Sequence, residues 1–232
     1  MKKLLFGATA LLLTTGAFAQ TTMSGNDARF GLKAGVNLSR FHMSNNDAFN
    51  DNMKDNVGFN VTAFGDFGVG NNFFIQPGIS LQNKGAKVES TSTVGNTTTT
   101  ISGKTNLMAI EVPINAVFRI PTGDAGAIQI SAGPYVGFNI SGKNKVETTV
   151  TGGNAAGSTS SETDLDFGSS SDKDFGSTDF GANFGLAYRL NSGFVVGANY
   201  GLGLTNLTPK DNRVNDNKLT NRVLGFSVGY SF

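Results

Sequence analysis

Histidine and cysteine carry much of the nucleophilic and metal chemistry of proteins, and this chain of 232 residues has one His and no Cys. His42 lies close to Ser44 and Asp47, the residue types of a base, a hydroxyl nucleophile and an orienting carboxylate. Proximity in one connecting segment does not make a triad, because each member must be aimed at the next by a scaffold. The missing cysteines remove thiolate zinc sites, disulfide frameworks, cysteine nucleophiles and an acylated N-terminal cysteine. Asn45-Asn46-Asp47, Asp51-Asn52 and Asn215-Asp216-Asn217 offer oxygen ligands for Ca²⁺. They lack the Gly-anchored spacing of a calcium loop and read as turn formers. Gly65-Asp66-Phe67-Gly68-Val69-Gly70 has neither the spacing nor the following helix of a dinucleotide-binding turn. No catalytic, cofactor-binding or metal-ligating set is expected, and the chain is not expected to be an enzyme.

The charges with a regular setting are Lys33, Asp66, Glu111, Arg119 and Arg189, each on the polar side of a segment that alternates apolar and polar residues. Such alternation recurs at 30–38, 57–67, 73–82, 110–120, 128–140, 180–190, 194–205 and 222–232. In the first, Phe30, Leu32, Ala34, Val36 and Leu38 share one face, against Gly31, Lys33, Gly35, Asn37 and Ser39 on the other. A period of two marks strands, and each of these is long enough for the roughly 9–11 tilted residues that cross a bilayer. Connections alternate in length. Short ones fall at 68–72, 121–126 and 191–193, and long ones at about 42–55, 85–106, 142–178 and 206–218. A β-sandwich has no reason to sort its loops by end, whereas an outer-membrane barrel has tight turns at one rim and long loops at the other. The expected fold is all-β, an eight-stranded antiparallel transmembrane up-and-down β-barrel.

Composition agrees. The chain has 31 Gly, 15% charged residues and 38% hydrophobic residues, and Lys+Arg 18 against Asp+Glu 17 leaves a net charge of +1. That balance lacks the basic face a nucleic-acid partner needs. Low charge suits lipid-facing strands, and many glycines fall on the polar face or in turns. Met1-Lys2-Lys3, an apolar run over 4–15 and Ala17-Phe18-Ala19 form an export signal with its cleavage site. The expected organisation is a signal peptide over 1–19, a short periplasmic tail over 20–28 and the barrel over 29–232. No later run approaches the roughly 20 apolar residues of a membrane helix.

With both termini periplasmic, the lipid-facing residue at the periplasmic end of a strand should often be aromatic. Phe30, Phe67, Phe73, Phe118, Tyr188 and Phe194 occupy such positions and form the expected girdle. Pro77, Pro113 and Pro134 fall inside central strands, where each deletes a ladder donor, so bulges are expected there. Thr91–Thr100 pairs Thr-rich arms around Gly95-Asn96 and reads as a hairpin. The Ser/Gly-rich, acidic stretch that follows Gly152 reads as mobile.

Three stretches carry a family resemblance: Phe73–Lys87 with Gln76-Pro77 and Lys84-Gly85, then Glu111-Val112-Pro113, then Gly133-Pro134-Tyr135. In that order they resemble the PorT-like, "porin family" outer-membrane β-barrels of Bacteroidetes, with Gly78 where that family usually has Glu. The C-terminal pattern Leu224, Phe226, Val228, Tyr230, Phe232 resembles the signal read by the outer-membrane assembly machinery. The resemblance implies a location in the outer membrane of a Gram-negative cell. The expected partners are outer-membrane lipids and, during biogenesis, the assembly machinery. A monomer is expected, with no cofactor, no nucleic acid and an external ligand that the sequence does not identify.

An eight-stranded barrel is filled by its own side chains. Unpaired charges in such a lumen are costly, so Asp66 and Glu111 are expected to pair with Lys33, Arg119 and Arg189 as a structural plug. The expected function is structural or surface-interacting, with a plugged lumen and long external loops. The alternative is a narrow pore for small solutes. An outer-membrane acyltransferase or protease built on His42 is the remote one.

Overall fold

A computed structural model describes residues 28–152, 156–213 and 217–232. The export signal and nearly all of the tail lie outside the described residues, as do Asn215 and Asp216. The elements are β1 (Arg29–Met43), α1 (Asp47–Asn52), β2 (Met53–Gly70), β3 (Phe73–Val94), β4 (Thr97–Pro121), β5 (Gly126–Thr151), β6 (Gly157–Asp164), β7 (Thr178–Leu190), β8 (Phe194–Gly203) and β9 (Leu219–Ser231).

Each strand pairs antiparallel with its neighbour in the order β4-β3-β2-β1-β9-β8-β7-β5, and β4 also pairs with β5. The sheet therefore closes into an eight-stranded ring, which leaves no edge within the ring and satisfies its backbone internally, as a bilayer demands. Closure runs along β1 and β9, from Gly31↔Ser231 to Met43↔Leu219. The side-chain alternation sorts residues as the sequence pattern requires. Outward positions such as Val36, Ile79, Leu186 and Val228 are half or more exposed, at 50%, 52%, 60% and 65%. A continuous band of that kind is a lipid surface rather than a water surface. The inward positions Asn37, Asn60, Gln76, Ser80, Gln129 and Asn139 are buried and polar.

The long connections are more ordered than expected. β3 and β4 run on as a hairpin to Val94↔Thr97, around a turn in which Gly95 takes φ 61°. β5 continues to Thr151, and β6 pairs along it from Lys143↔Asp164 to Val150↔Gly157. A polar sheet of β3, β4, β5 and β6 thus rises past the apolar band, with β6 as a ninth strand outside the ring. The hairpin expected at Thr91–Thr100 is present, whereas Thr and Ser on both faces leave β6 and the outer part of β5 without apolar contrast to read.

The described part of the acidic third loop, which reads as mobile from its composition, makes hydrogen bonds and packing contacts. The Leu165 amide donates to the Gly142 carbonyl (3.0 Å) and the Gly176 amide to the Leu207 carbonyl (2.7 Å). Phe167 and Phe175 pack against a small apolar cluster of Phe41, Ala86, Leu107 and Leu207. This cluster caps the loop end of the barrel and is its apolar core, because the lumen below is polar.

The prolines do not produce bulges, which corrects that expectation. Pairing is interrupted between Pro77↔Ile114 and Ser80↔Glu111, and between Pro113↔Tyr135 and Ala116↔Ala132, with no change of register across either gap. Pro134 pairs with Ala182 in an unbroken ladder. Register shifts occur instead between Asp55 and Asn60, between Gly68 and Gly70, and at Met108/Ala109. At the last of these, Met108 faces Ser141 and Ala109 faces Asn139, so Ile140 is the extra residue.

Candidate functional site

Among the described residues, charged side chains on the strands gather in the lumen in two layers. The layer near the long loops centres on Lys84 of β3, which is 1% exposed. Its ammonium Nζ lies 2.6 Å from Glu111 Oε1 and 2.8 Å from Asp179 Oδ2. The Tyr135 hydroxyl donates to Asp179 Oδ2 (3.2 Å), and so does Asn221 Nδ2 (3.1 Å). The cross-strand pairs Glu111↔Gly137 and Gly137↔Asp179 put the two carboxylates in one row with a glycine between them. A Cβ on Gly137 would meet Glu111 Cγ at 3.2 Å and Asp179 Cβ at 3.6 Å. The glycine keeps the row between the two acids open.

The layer near the short turns centres on Asp66. Arg119 Nη2 hydrogen-bonds Asp66 Oδ2, and Gln76 Nε2 donates to Asp66 Oδ1 (3.2 Å). Arg119 lays its guanidinium on the Phe74 ring, 3.7 Å from the centroid. With its amide turned to offer the oxygen, Gln129 accepts from Arg119 Nε (2.7 Å) and Nη2 (3.1 Å). Arg119 is thus held on all sides, by stacking and by charge-assisted hydrogen bonds. Lys33 Nζ sits 4.9 Å from the Phe64 ring centroid, and among the described residues no atom accepts from Arg189 Nε or Nη2. Between the two layers a polar cavity of about 100 Å³ remains.

All five sequence-nominated charges therefore face the lumen, but the expected pairing is corrected in part. Glu111 partners Lys84, and not Lys33, Arg119 or Arg189. Lys84 and Asp179 were missed for a simple reason. The apolar–polar alternation is clear over 73–82 and 180–190, and each charge lies just beyond such a stretch. Carrying the same parity two residues on, or one back, finds both.

The other nominated residues are placed as follows. Phe30 and Phe67 meet edge to face at 6.2 Å and Phe194 and Tyr230 at 5.1 Å, while Phe73 and Phe118 lie tilted at 4.9 Å. The Tyr188 hydroxyl lies 2.8 Å from Thr122 Oγ1. These contacts ring the end of the barrel that carries the short turns. Phe232 stacks on Tyr230 at 5.3 Å, and Leu224, Phe226 and Val228 point outward along β9. His42 is not joined to Ser44 or Asp47. Its carbonyl accepts from Thr220 Oγ1, the Ser44 hydroxyl accepts from the Lys218 amide (2.8 Å), and Asp47 opens α1.

Residues 18–209 match the outer membrane protein beta-barrel domain. The chain belongs to that family. As an outer-membrane β-barrel, it closes with a strand, β9, that lies beyond the matched stretch. Comparison with curated proteins finds no match. Among solved structures it is similar to Ail, the attachment invasion locus protein of Yersinia pestis, crystallised with the heparin analogue sucrose octasulfate. That likeness has 17% identity and a TM-score of 0.41, over 89% of this chain and 99% of that one. Neisserial surface protein A has 12% identity and a TM-score of 0.39, over 88% and 97%. OprG from Pseudomonas aeruginosa has 13% identity and a TM-score of 0.33, over 89% and 95%.

Proposed function

We propose that this outer-membrane barrel is a non-enzymatic surface-interaction protein of the PorT-like type, with termini and short turns in the periplasm and the polar sheet outside the cell. The observation that carries the reading is that sheet. β3, β4 and β5 continue as paired strands past the apolar band, and β6 is bonded on one side only. A barrel serving only as an anchor needs no ordered extension beyond the lipid. An edge strand with every residue exposed offers unpaired backbone groups to an extended segment of another molecule.

The lumen supports closure to bulk solutes. Ion pairs tie β3 to β4 and β7 near one end, and β2 to β4 near the other. A ring of eight strands leaves little bore to begin with. The cavity between the layers favours a second reading, a narrow pore. Two measurements test the proposal. Because the chain has no cysteine, Ser160→Cys and Asp124→Cys give clean labelling sites at opposite ends. A membrane-impermeant maleimide should label the first and not the second in intact cells, and the reverse pattern overturns the orientation. Planar-bilayer recordings should show no large stable conductance, and a reproducible porin-sized state overturns closure in favour of the pore.

A further inference from the structure

Near the short turns, cations outnumber carboxylates around the cavity among the described residues. Asp66 is committed to Arg119 and Gln76. Glu111 is the carboxylate on the cavity wall, and Lys84 holds it. Lys33 and Arg189 line the same cavity. Lys33 touches the Phe64 ring, and neither residue forms a salt bridge among the described residues. Arg189 Nε and Nη2 are fully buried donors, and no protein atom among the described residues accepts from them. The Ser231 hydroxyl, on the same wall, is buried in the same condition.

The backbone makes room at this spot. The pairs Arg189↔Val195, Val195↔Gly229 and Gly229↔Lys33 set the two cations in one row across β7, β8, β9 and β1. Gly229 leaves the space that the lysine stem fills, since a Cβ there would stand 2.6 Å from Lys33 Cγ. Gly185 and Gly197 widen the cavity on the same side.

We propose that the lumen cavity between Lys33 and Arg189 binds a small inorganic oxyanion of the phosphate or sulfate type. A guanidinium presents paired N–H donors in a fixed fork that fits an oxyanion edge, and an ammonium adds a point charge from another direction. Water could meet the hydrogen bonds but would leave the excess positive charge of a low-dielectric site uncompensated. The cavity is lined by inward-facing side chains of the strand ring, away from the lipid-facing band, so the anion comes from solution. The inference is independent of the surface role proposed above.

The test uses the full-length barrel refolded in non-phosphate detergent and titrated with inorganic phosphate, followed by calorimetry and by ³¹P line width. Saturable binding at one site is expected, with sulfate competing. Arg189→Gln and Lys33→Met should each weaken it on the order of tenfold or more, because each removes one charge-assisted contact. Lys143→Gln, on the exposed sheet, should leave it unchanged. Heat-modifiable gel migration checks that each variant is folded. If Arg189→Gln fails to fold, Arg189→Lys keeps the charge but not the fork and should still bind, more weakly. Absence of saturable binding, or binding that the lumen variants do not alter, overturns the site. Bilayer conductance is a separate readout and bears on closure alone.

Discussion

Lys84 on β3 and Asp179 on β7 are 95 residues apart in sequence, yet Lys84 Nζ reaches Asp179 Oδ2 at 2.8 Å across the lumen, with both side chains buried. The same ammonium holds Glu111, so one cation neutralises two carboxylates that share a cross-strand row. Removing the cation alone strands two buried acids. Lys84→Met should lower the unfolding free energy of the refolded barrel by about 3–5 kcal/mol, read from the urea midpoint in detergent. Lys84→Met combined with Glu111→Gln and Asp179→Asn removes the uncompensated charge and should recover most of that loss. If the single and triple variants unfold alike, the triad does not carry the stability assigned to it.

A second expectation concerns the seam where the barrel closes. Gly35 pairs with Ser227 across β1 and β9, and a Cβ there would lie 1.9 Å from the Phe226 carbonyl oxygen. A backbone atom cannot rotate away as a side chain can. Gly35→Val should therefore push the first and last strands apart, at about 1–3 kcal/mol. The heat-modifiable form should convert at a lower temperature than in the parent. An unchanged conversion temperature would mean that the seam yields without strain.

These residues also show which parts of the molecule the sequence disclosed. Eight strands were legible because each sets apolar residues toward lipid and small or polar residues toward the lumen, a contrast with a period of two. The inward charges Lys33, Asp66, Glu111, Arg119 and Arg189 followed from that parity. Their partners did not, because pairing depends on which strands stand opposite and on where glycines such as Gly137 keep a row open. β6 and the outer part of β5 were not legible, since Ser and Thr on both faces erase the contrast, whereas the Thr91–Thr100 hairpin was, from its Gly95-Asn96 turn. The cap over the loop end escaped for a related reason. Phe167 and Phe175 are isolated apolar residues in an acidic, Ser/Gly-rich stretch, and only the fold brings them to Phe41 and Leu207.

The polar sheet gives a pH expectation. Lys143 and Glu162 join β5 to β6 beyond the apolar band. Hydrogen bonding and attraction from Lys143 hold the Glu162 carboxyl below its ordinary value, and the same contact holds the Lys143 ammonium above its own. A depressed carboxyl contributes at pH above its unfolded value and is lost as pH falls through the folded one. A raised ammonium contributes below its unfolded value and is lost as pH rises through the folded one. The pair should therefore persist across the neutral range and break only at its acid and alkaline ends. Both side chains are half exposed, so added salt should weaken it. Carboxyl ¹³C titration should show Glu162 returning toward the ordinary glutamate range in Lys143→Gln. An unshifted midpoint would show that the contact is not populated in solution.

Phe232 gives an expectation that separates folding from delivery. It is 65% exposed on the outer face and stacks edge to face on Tyr230 at 5.3 Å, which itself meets Phe194 at 5.1 Å. The Phe232 amide also donates to the Phe30 carbonyl (2.8 Å), a bond that survives any side-chain change. Truncating the ring removes one contact worth about 0.5–1.5 kcal/mol beyond its area, at a rim position that the finished barrel can spare. Recognition by the assembly machinery, by contrast, would read the alternate residues Leu224 to Phe232 before the barrel exists. Phe232→Ala should refold in detergent with a urea midpoint close to the parent, while in cells the amount of heat-modifiable protein in the outer-membrane fraction falls several-fold. Equal losses in both measurements would make Phe232 an ordinary structural residue, and no loss in cells would remove it from the assembly signal.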